Sequence, residues 1–164
     1  MDSKIILFID NIGYQGPIIT SLITLFSLLG KPIYLSMFII GSILNYSLNN
    51  ILKSVIKEPR PIHPISYIDD HLIKGAQIYG MPSGHAQISS FAIMFLILTS
   101  KKRSLFIIIS IFIYILTLVQ RWKYRRHTIE QLIGGTVVGS LFSYCMFWIT
   151  ESYLQRTDNI KSLF

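Results

Sequence analysis

Long apolar runs, closed at their ends by charged or proline-rich breaks, leave this chain little choice of solvent. A hydrocarbon core about 30 Å thick takes roughly 20 largely apolar helical residues to cross. About five segments approach that length, at 14–30, 33–51, 85–100, 104–120 and 128–150. Composition agrees: 51% of the 164 residues are hydrophobic, 14% are charged and the mean hydropathy is +0.52. Those values lie outside the range of ordinary soluble domains. Inside lipid every backbone polar group must be satisfied within the chain, so such segments cross as helices. The expected fold is all-α, an integral membrane helical bundle forming one domain over residues 1–164 with no soluble domain attached. The third segment is the shortest, which places its start in a protein-lined cavity where polar residues are tolerated.

The breaks organise the bundle. No period of 20 to 50 residues recurs. The long polar interval runs from Glu58 to Gly84 and carries Pro59, Pro61, Pro64 and Pro82, which stop one helix and delay the next. The start, Met1 to Lys4, lacks the basic region and small-residue cleavage site of a secretory signal, so it is expected to be retained as a short interfacial segment. A lone Cys145 excludes an intrachain disulfide framework. Counting spans puts the N-terminus, the 58–84 loop and the 121–127 turn on one face. Lys31, Lys101-Lys102-Arg103 and the tail from Glu151 lie on the other. Lys and Arg divide nine to six between these faces. With Lys53, Arg60 and Arg121 set aside as phosphate ligands the faces tie, and the short triple-basic loop is then assigned to the cytosol. The net charge of +7 fits an anionic lipid surface, an anionic substrate or this topology signal.

Three clusters gather ionisable groups at span ends on one face: residues 53–61, 80–87 and 121–131. Arg60 and Arg121 offer planar forks for phosphate oxygens, and Lys53 adds a compact charge. Ser83 and Gly84 precede the third segment, so backbone N–H groups and the positive helix end point at an anion there. His85 stands at that helix start. His127 opens the fifth segment, and Gln131, one turn later, can accept from its imidazole N–H and fix the tautomer. Two histidines among three cations suit phosphoryl transfer: a neutral imidazole attacks phosphorus and a protonated one donates to the leaving oxygen. No carboxylate pair joins them at metal-ligand spacing, so neither metal nor cofactor is expected.

The pattern Lys-x6-Arg-Pro, Pro-Ser-Gly-His and Arg-x5-His, met at Lys53, Arg60-Pro61, Pro82 to His85, and Arg121 with His127, resembles the three-part signature of the type 2 phosphatidic acid phosphatase superfamily. Two positions depart from it: Gln120 replaces the usual Ser, and Gln131 replaces the usual Asp. His127-Thr128-x-x-Gln131, with Lys53, Ile56, Glu58 to Pro61, Tyr79 to His85 and Gln87, is similar to the dolichyldiphosphatase branch. The likeness covers roughly residues 40 to 145. It implies a chloroperoxidase-like helical core that removes the terminal phosphate of a polyprenyl diphosphate on the luminal side of the endoplasmic reticulum. His127 would form a phosphohistidine and His85 would be the general acid, with Gln131 orienting His127. Lys53, Arg60, Ser83, Gly84 and Arg121 would hold phosphate. The implied partners are a lipid-linked phosphate and membrane lipids, with no nucleic acid.

Plainer readings compete. A phosphatidate or sphingoid-phosphate phosphatase would share the chemistry, and a silent phospholipid-binding scaffold would keep only the pocket. Lys57, Lys123, Arg125 and Arg126 read as snorkelling anchors, and Trp122 and Tyr124 as interfacial belt residues. His63 and His71 read as solvated, and Asp69-Asp70-His71 as too contiguous to converge on a metal. Gly134, Gly135 and Gly139 form a small-residue face for close packing. Glu58 and Glu130 are expected to position neighbouring groups, because a free carboxylate repels phosphate.

Overall fold

The computed structural model describes residues 3–65, 74–100 and 105–161. These residues form α1 (Ser3–Tyr14), α2 (Gly16–Ser27), α3 (Pro32–Ile56), α4 (Gly84–Thr99), α5 (Leu105–Lys123) and α6 (Ile129–Lys161), with a 3₁₀ turn at Gly75–Ile78. Local chemistry sets several ends. Pro17 and Pro32 occupy the first turns of α2 and α3, where a missing N–H costs nothing. Lys57 closes α3 in a left-handed conformation at φ 54°, its N–H returning to the Lys53 carbonyl, and Glu58-Pro59 follows, a pair that does not continue a helix.

Helices α3, α5 and α6, the last over Ile129–Thr157, are long and apolar enough to cross a bilayer. The pair α1–α2, bent by 59° at Gln15, makes a fourth crossing when taken as one span. The chain is thus an integral membrane protein. Its lipid side shows in exposed Ile108, Phe112, Ile115 and Val119 on α5 and Leu141, Tyr144 and Trp148 on α6.

Two expectations change. Residues 3–14 are not an interfacial strip but a helix packed along α5. Glycine makes that approach possible, since a Cβ on Gly13 would stand 2.5 Å from the Leu116 carbonyl oxygen. The third expected span is the 16-residue α4, about 24 Å at 1.5 Å per residue and too short to match the hydrocarbon. It does not meet lipid for most of its length. It packs against α2, α3, α5 and α6 and buries residues on every side, from Ala86 to Thr99, as a helix apolar all round does. The tail from Glu151 continues α6 to Lys161, and Tyr34 of α3 hydrogen-bonds Glu151.

Around α4 lies the core of Leu28, Phe38, Phe91, Ala92, Phe95 and Met146. Phe38 stacks on Phe91 at 5.6 Å and tilts against Phe95 at 5.4 Å, geometries that add to simple burial. The small-residue face of α6 does pack closely. A Cβ on Gly135 or Gly139 would collide with the Ser83 or Gln87 carbonyl of the α4 end, and one on Gly134 would lie 2.7 Å from Met81 Sδ. Close backbone approach holds the start of α6 against the start of α4, where the two motif histidines sit. The Asp69-Asp70-His71 and Lys101-Lys102-Arg103 segments lie outside the described residues.

Candidate active site

The ends of α1, α3 and α5 and the starts of α4 and α6 converge at one end of the bundle. A buried stripe on α3, Phe38, Gly41, Asn45, Asn49 and Lys53, faces α4 at helical spacing. Its amides form a ladder: Asn49 Nδ2 donates to Gln87 Oε1 at 2.8 Å and to the Pro82 carbonyl at 3.2 Å, and Gln87 Nε2 donates to Asn45 Oδ1 at 2.8 Å. These bonds satisfy polar groups that would otherwise cost several kcal/mol in a low-dielectric interior, roughly 2–7 each. They also fix α3 against the Pro82-Ser83-Gly84 turn. Ser83 caps α4, its hydroxyl facing the Ala86 N–H at 3.5 Å.

The interval between α3 and α4 folds back as a two-sided brace. Gly80 N–H donates to the Glu58 carbonyl at 2.8 Å beside a Pro59–Tyr79 bridge. Lys53 Nζ donates to the Tyr79 carbonyl at 2.6 Å. Arg60 is held on both edges of its fork: Nε and Nη2 donate to the Gln77 carbonyl at 3.1 and 2.7 Å, and Nη1 to the Arg126 carbonyl at 3.1 Å.

At the start of α6, Thr128 and Gln131 form a reciprocal capping box. Gln131 N–H donates to Thr128 Oγ1 at 3.2 Å, and Thr128 N–H donates to Gln131 Oε1 at 3.3 Å. The Gln131 amide is pinned from its other end as well, Nε2 donating to Glu58 Oε1 at 2.7 Å and to the Pro59 carbonyl at 2.8 Å. Oε1 is therefore the acceptor facing His127 Nδ1, 3.2 Å away. An acceptor there makes Nδ1 the protonated nitrogen and leaves the Nε2 lone pair outward. Nε2 lies 3.4 Å from Arg60 Nη1. No room exists for a larger residue behind the amide, because a Cβ on Gly80 would overlap the Gln131 side chain.

His127 and His85 line the same cavity, of about 270 Å³, with Arg60, Arg121, Gly84, Gln77, Asn49, Tyr46, Ile88 and Tyr14. The His85 ring donates to the Tyr14 carbonyl and lies 5.7 Å from the Tyr14 ring. Arg121 is 2% exposed, with its guanidinium 5.9 Å from the Tyr14 ring centroid. Burial holds the His127 imidazolium form well below the ordinary histidine range, reinforced by Arg60, Arg121, Lys53 and His85. A neutral ring presents its lone pair to a cavity rimmed with positive charge.

Of the residues singled out in sequence, Arg60, Gly84, His85, Arg121 and His127 border the cavity. Gln131 stands behind His127. Lys53 and Ser83 are fully buried, Lys53 turned to the Tyr79 carbonyl and Ser83 to its helix cap. Arg126 is no snorkelling anchor: it is 1% exposed, and its carbonyl holds Arg60. Nor do Lys123 and Tyr124 simply sit at an interface, since both bond Asp10 Oδ2, at 2.6 and 2.9 Å. Trp122 and His63 are exposed. Sequence reasoning missed Asn45, Asn49, Gln77, Asp10 and Tyr14. The first two carried a signal, an amide every four residues in register with Lys53. Asp10 and Tyr14 precede the motifs and carried none.

Over residues 33–154 the chain matches the model of the PAP2 superfamily. It is 33% identical over 147 residues to dolichyldiphosphatase of Saccharomyces cerevisiae, covering 77% of this chain and 60% of that one. It is also 33% identical over 121 residues to lipid phosphate phosphatase epsilon 1, chloroplastic, of Arabidopsis thaliana, covering 68% and 38%. Against dolichyldiphosphatase 1 of Mus musculus it is 33% identical over 132 residues, covering 71% and 53%. The aligned region thus spans less than two thirds of each of these relatives. No solved structure matches. With the family model covering most of its length and all three motifs meeting at one cavity, the chain belongs to the PAP2 superfamily.

Proposed function

We propose that the chain is a metal-independent lipid phosphatase that removes the terminal phosphate of a polyprenyl, dolichyl-type diphosphate through a phosphohistidine. The observation that carries this reading is the fixed tautomer of His127: Gln131 Oε1 holds Nδ1–H, and Nε2 faces the cavity beside Arg60. In the first step the Nε2 lone pair forms a bond to the terminal phosphorus. The phosphorus–oxygen bond to the lipid phosphate breaks, and His85 gives its proton to the departing oxygen. Arg60 and Arg121 stabilise charge on the equatorial oxygens, with the Gly84 N–H at the positive end of α4 adding to them. Lys53 contributes its field from behind the Tyr79 carbonyl. In the second step His85 takes a proton from water, which attacks phosphorus, breaks the N–P bond and releases inorganic phosphate.

The dolichyl preference rests on the Gln131 capping box and on the two dolichyldiphosphatases among the relatives. The named activity of the Arabidopsis relative supports the second reading, a broader lipid phosphate phosphatase. Location in the endoplasmic reticulum, with the cavity facing the lumen, belongs to the first. The test is phosphate release by purified protein from polyprenyl diphosphate, phosphatidate and sphingoid phosphate, with EDTA present. Preference for the diphosphate and loss of all release in His127→Ala are expected. A requirement for added divalent ions overturns the mechanism, unchanged release in His127→Ala overturns His127 as the nucleophile, and no release by wild type from any of the three lipids leaves a scaffold role instead.

A further inference from the structure

Helix α1 lies before the region that matches the family, residues 33–154, yet it forms one wall of the cavity. Tyr14, its last residue, lines that cavity, and the Tyr14 carbonyl accepts from the His85 ring. Carbonyls in the last turn of a helix lack intrahelical partners and carry the negative end of the helix dipole. An imidazole N–H directed at such a carbonyl is fixed in orientation, which a proton donor needs, and the carbonyl offsets part of the burial and of the Arg121, Arg60 and Lys53 charges that together hold the His85 imidazolium well below the ordinary histidine range.

The hold of α1 on this position is built, not incidental. Asp10, one turn before Tyr14, is only 7% exposed and accepts from both Lys123 Nζ at 2.6 Å and Tyr124 Oη at 2.9 Å. The partners lie two and three residues after Arg121. Between Asp10 and Tyr14, Gly13 seats the α1 backbone on α5, where a Cβ would meet Leu116 O at 2.5 Å and Gln120 Cβ at 2.9 Å. The departure at Gln120 from the family's usual small serine falls at this contact. The Tyr14 ring also lies over Arg121, at 5.9 Å, within cation–π range.

We propose that α1 is a working part of the active site: clamped to the end of α5 through Asp10, Lys123 and Tyr124, it holds the Tyr14 carbonyl on His85 and so orients the proton donor. Asp10, Gly13 and Tyr14 are positioning residues that act through His85. This rests on the phosphatase reading for its consequence but not for the contact itself, and the experiment separates the two.

Purified full-length Asp10→Ala and Gly13→Ala are compared with wild type on hexadecyl phosphate, whose alkoxide needs a proton to leave, and on p-nitrophenyl phosphate, whose phenolate does not. Because His85 also serves the water step shared by both substrates, the comparison is made on kcat/KM, which reports only the steps through phosphohistidine formation: loss of oriented general acid predicts a value about tenfold or more lower on the alkyl ester and within about twofold on p-nitrophenyl phosphate. Equal losses on both substrates, or loss on neither, overturn the proposal. A second readout needs no turnover. In ¹⁵N-histidine-labelled protein, the His85 ring N–H, assigned by its absence in His85→Asn, should be protected from exchange in wild type and shifted in both variants. A rapidly exchanging ring N–H in wild type overturns the contact. Should wild type hydrolyse neither ester, the proposed function falls, while this spectrum still decides the role of α1.

Discussion

Replacing Glu58 by Gln probes how the nucleophile is supported. The carboxylate stands two hydrogen bonds from the ring, since Gln131 Nε2 donates to Glu58 Oε1 at 2.7 Å and Gln131 Oε1 accepts from His127 Nδ1 at 3.2 Å. With the width of the amide between them, the negative charge is roughly 7 Å from the imidazole, where a unit pair at an effective dielectric near 20 interacts by about 2 kcal/mol. In the proposed reaction the ring is neutral before attack and becomes formally cationic as the N–P bond forms, so the attraction strengthens on the way to the transition state. Its loss predicts kcat about 30-fold lower with KM unchanged. Gln at 58 retains a carbonyl acceptor for Gln131, so the amide is not released and the His127 tautomer persists. Steady-state phosphate release from a polyprenyl diphosphate measures the effect. A kcat within about twofold of wild type refutes the relay, and a loss as large as that of His127→Ala shows Glu58 holding the loop rather than the charge. The exchange variant Glu58→Gln with Gln131→Glu moves the carboxylate onto His127 directly, and recovery above the single Glu58→Gln variant is expected from coupled sites.

Gln131→Ala should lower turnover less than His127→Ala does, because it removes orientation and the relay but leaves the nucleophile; equal losses in the same assay count against this division. His127 in the ligand-free protein should stay neutral as pH falls through about 6.5, the ordinary histidine value, because burial and the nearby cations depress its folded value. The unfolded chain takes up that proton first, so this group's contribution to stability is present above about 6.5 and is lost as pH falls below it; a ¹⁵N titration midpoint at or above that pH refutes the assignment. Phosphate or vanadate at about 100 times its Kd should stabilise the protein by about 2.7 kcal/mol, seen as a higher Tm in detergent, and Arg121→Ala should abolish the shift. Gly139→Ala should destabilise by about 1–3 kcal/mol, because its Cβ meets the Gln87 carbonyl, with a lower Tm as the readout.

Legibility followed the physics of each signal. The apolar runs announced α3, α5 and α6 because lipid demands length and uniform apolarity, both visible in one dimension. The same criterion marked α4 as short for a span, and its apolarity serves contacts with four other helices. It also left out α1, whose Asp10 reads as a break until Lys123 and Tyr124, over a hundred residues away, are seen to satisfy it. At the site, His127, Gln131 and Thr128 were readable because they lie within one helical turn. Arg126 was not: in sequence it is one more base in a basic run, and only the left-handed turn at Arg125, φ 51°, sends it inward. The roles of Lys53 and Glu58 as supports behind the cavity depend on where a 3₁₀ turn and a bridge return the chain. No local pattern encodes that return.

The division of acceptors around the cavity explains how one small site can hold cations firmly and keep them useful. A carboxylate bound to Lys53 or Arg60 would position the side chain but cancel much of its field, and substrate phosphate would then have to displace it. Carbonyl oxygens position a cation without carrying a full opposing charge. Those of Tyr79, Gln77 and Arg126 hold Lys53 and Arg60 in place. The nearby carboxylate of Glu58 is turned instead to Gln131, on the side of His127 away from Arg60. On the proposed mechanism this places negative charge where positive charge develops, at the imidazole, and positive charge where the phosphate oxygens would lie. The usual family Asp beside the nucleophile achieves the first effect in one residue. On that reading an amide and a carboxylate achieve it here in two, along a path that the capping box holds in place.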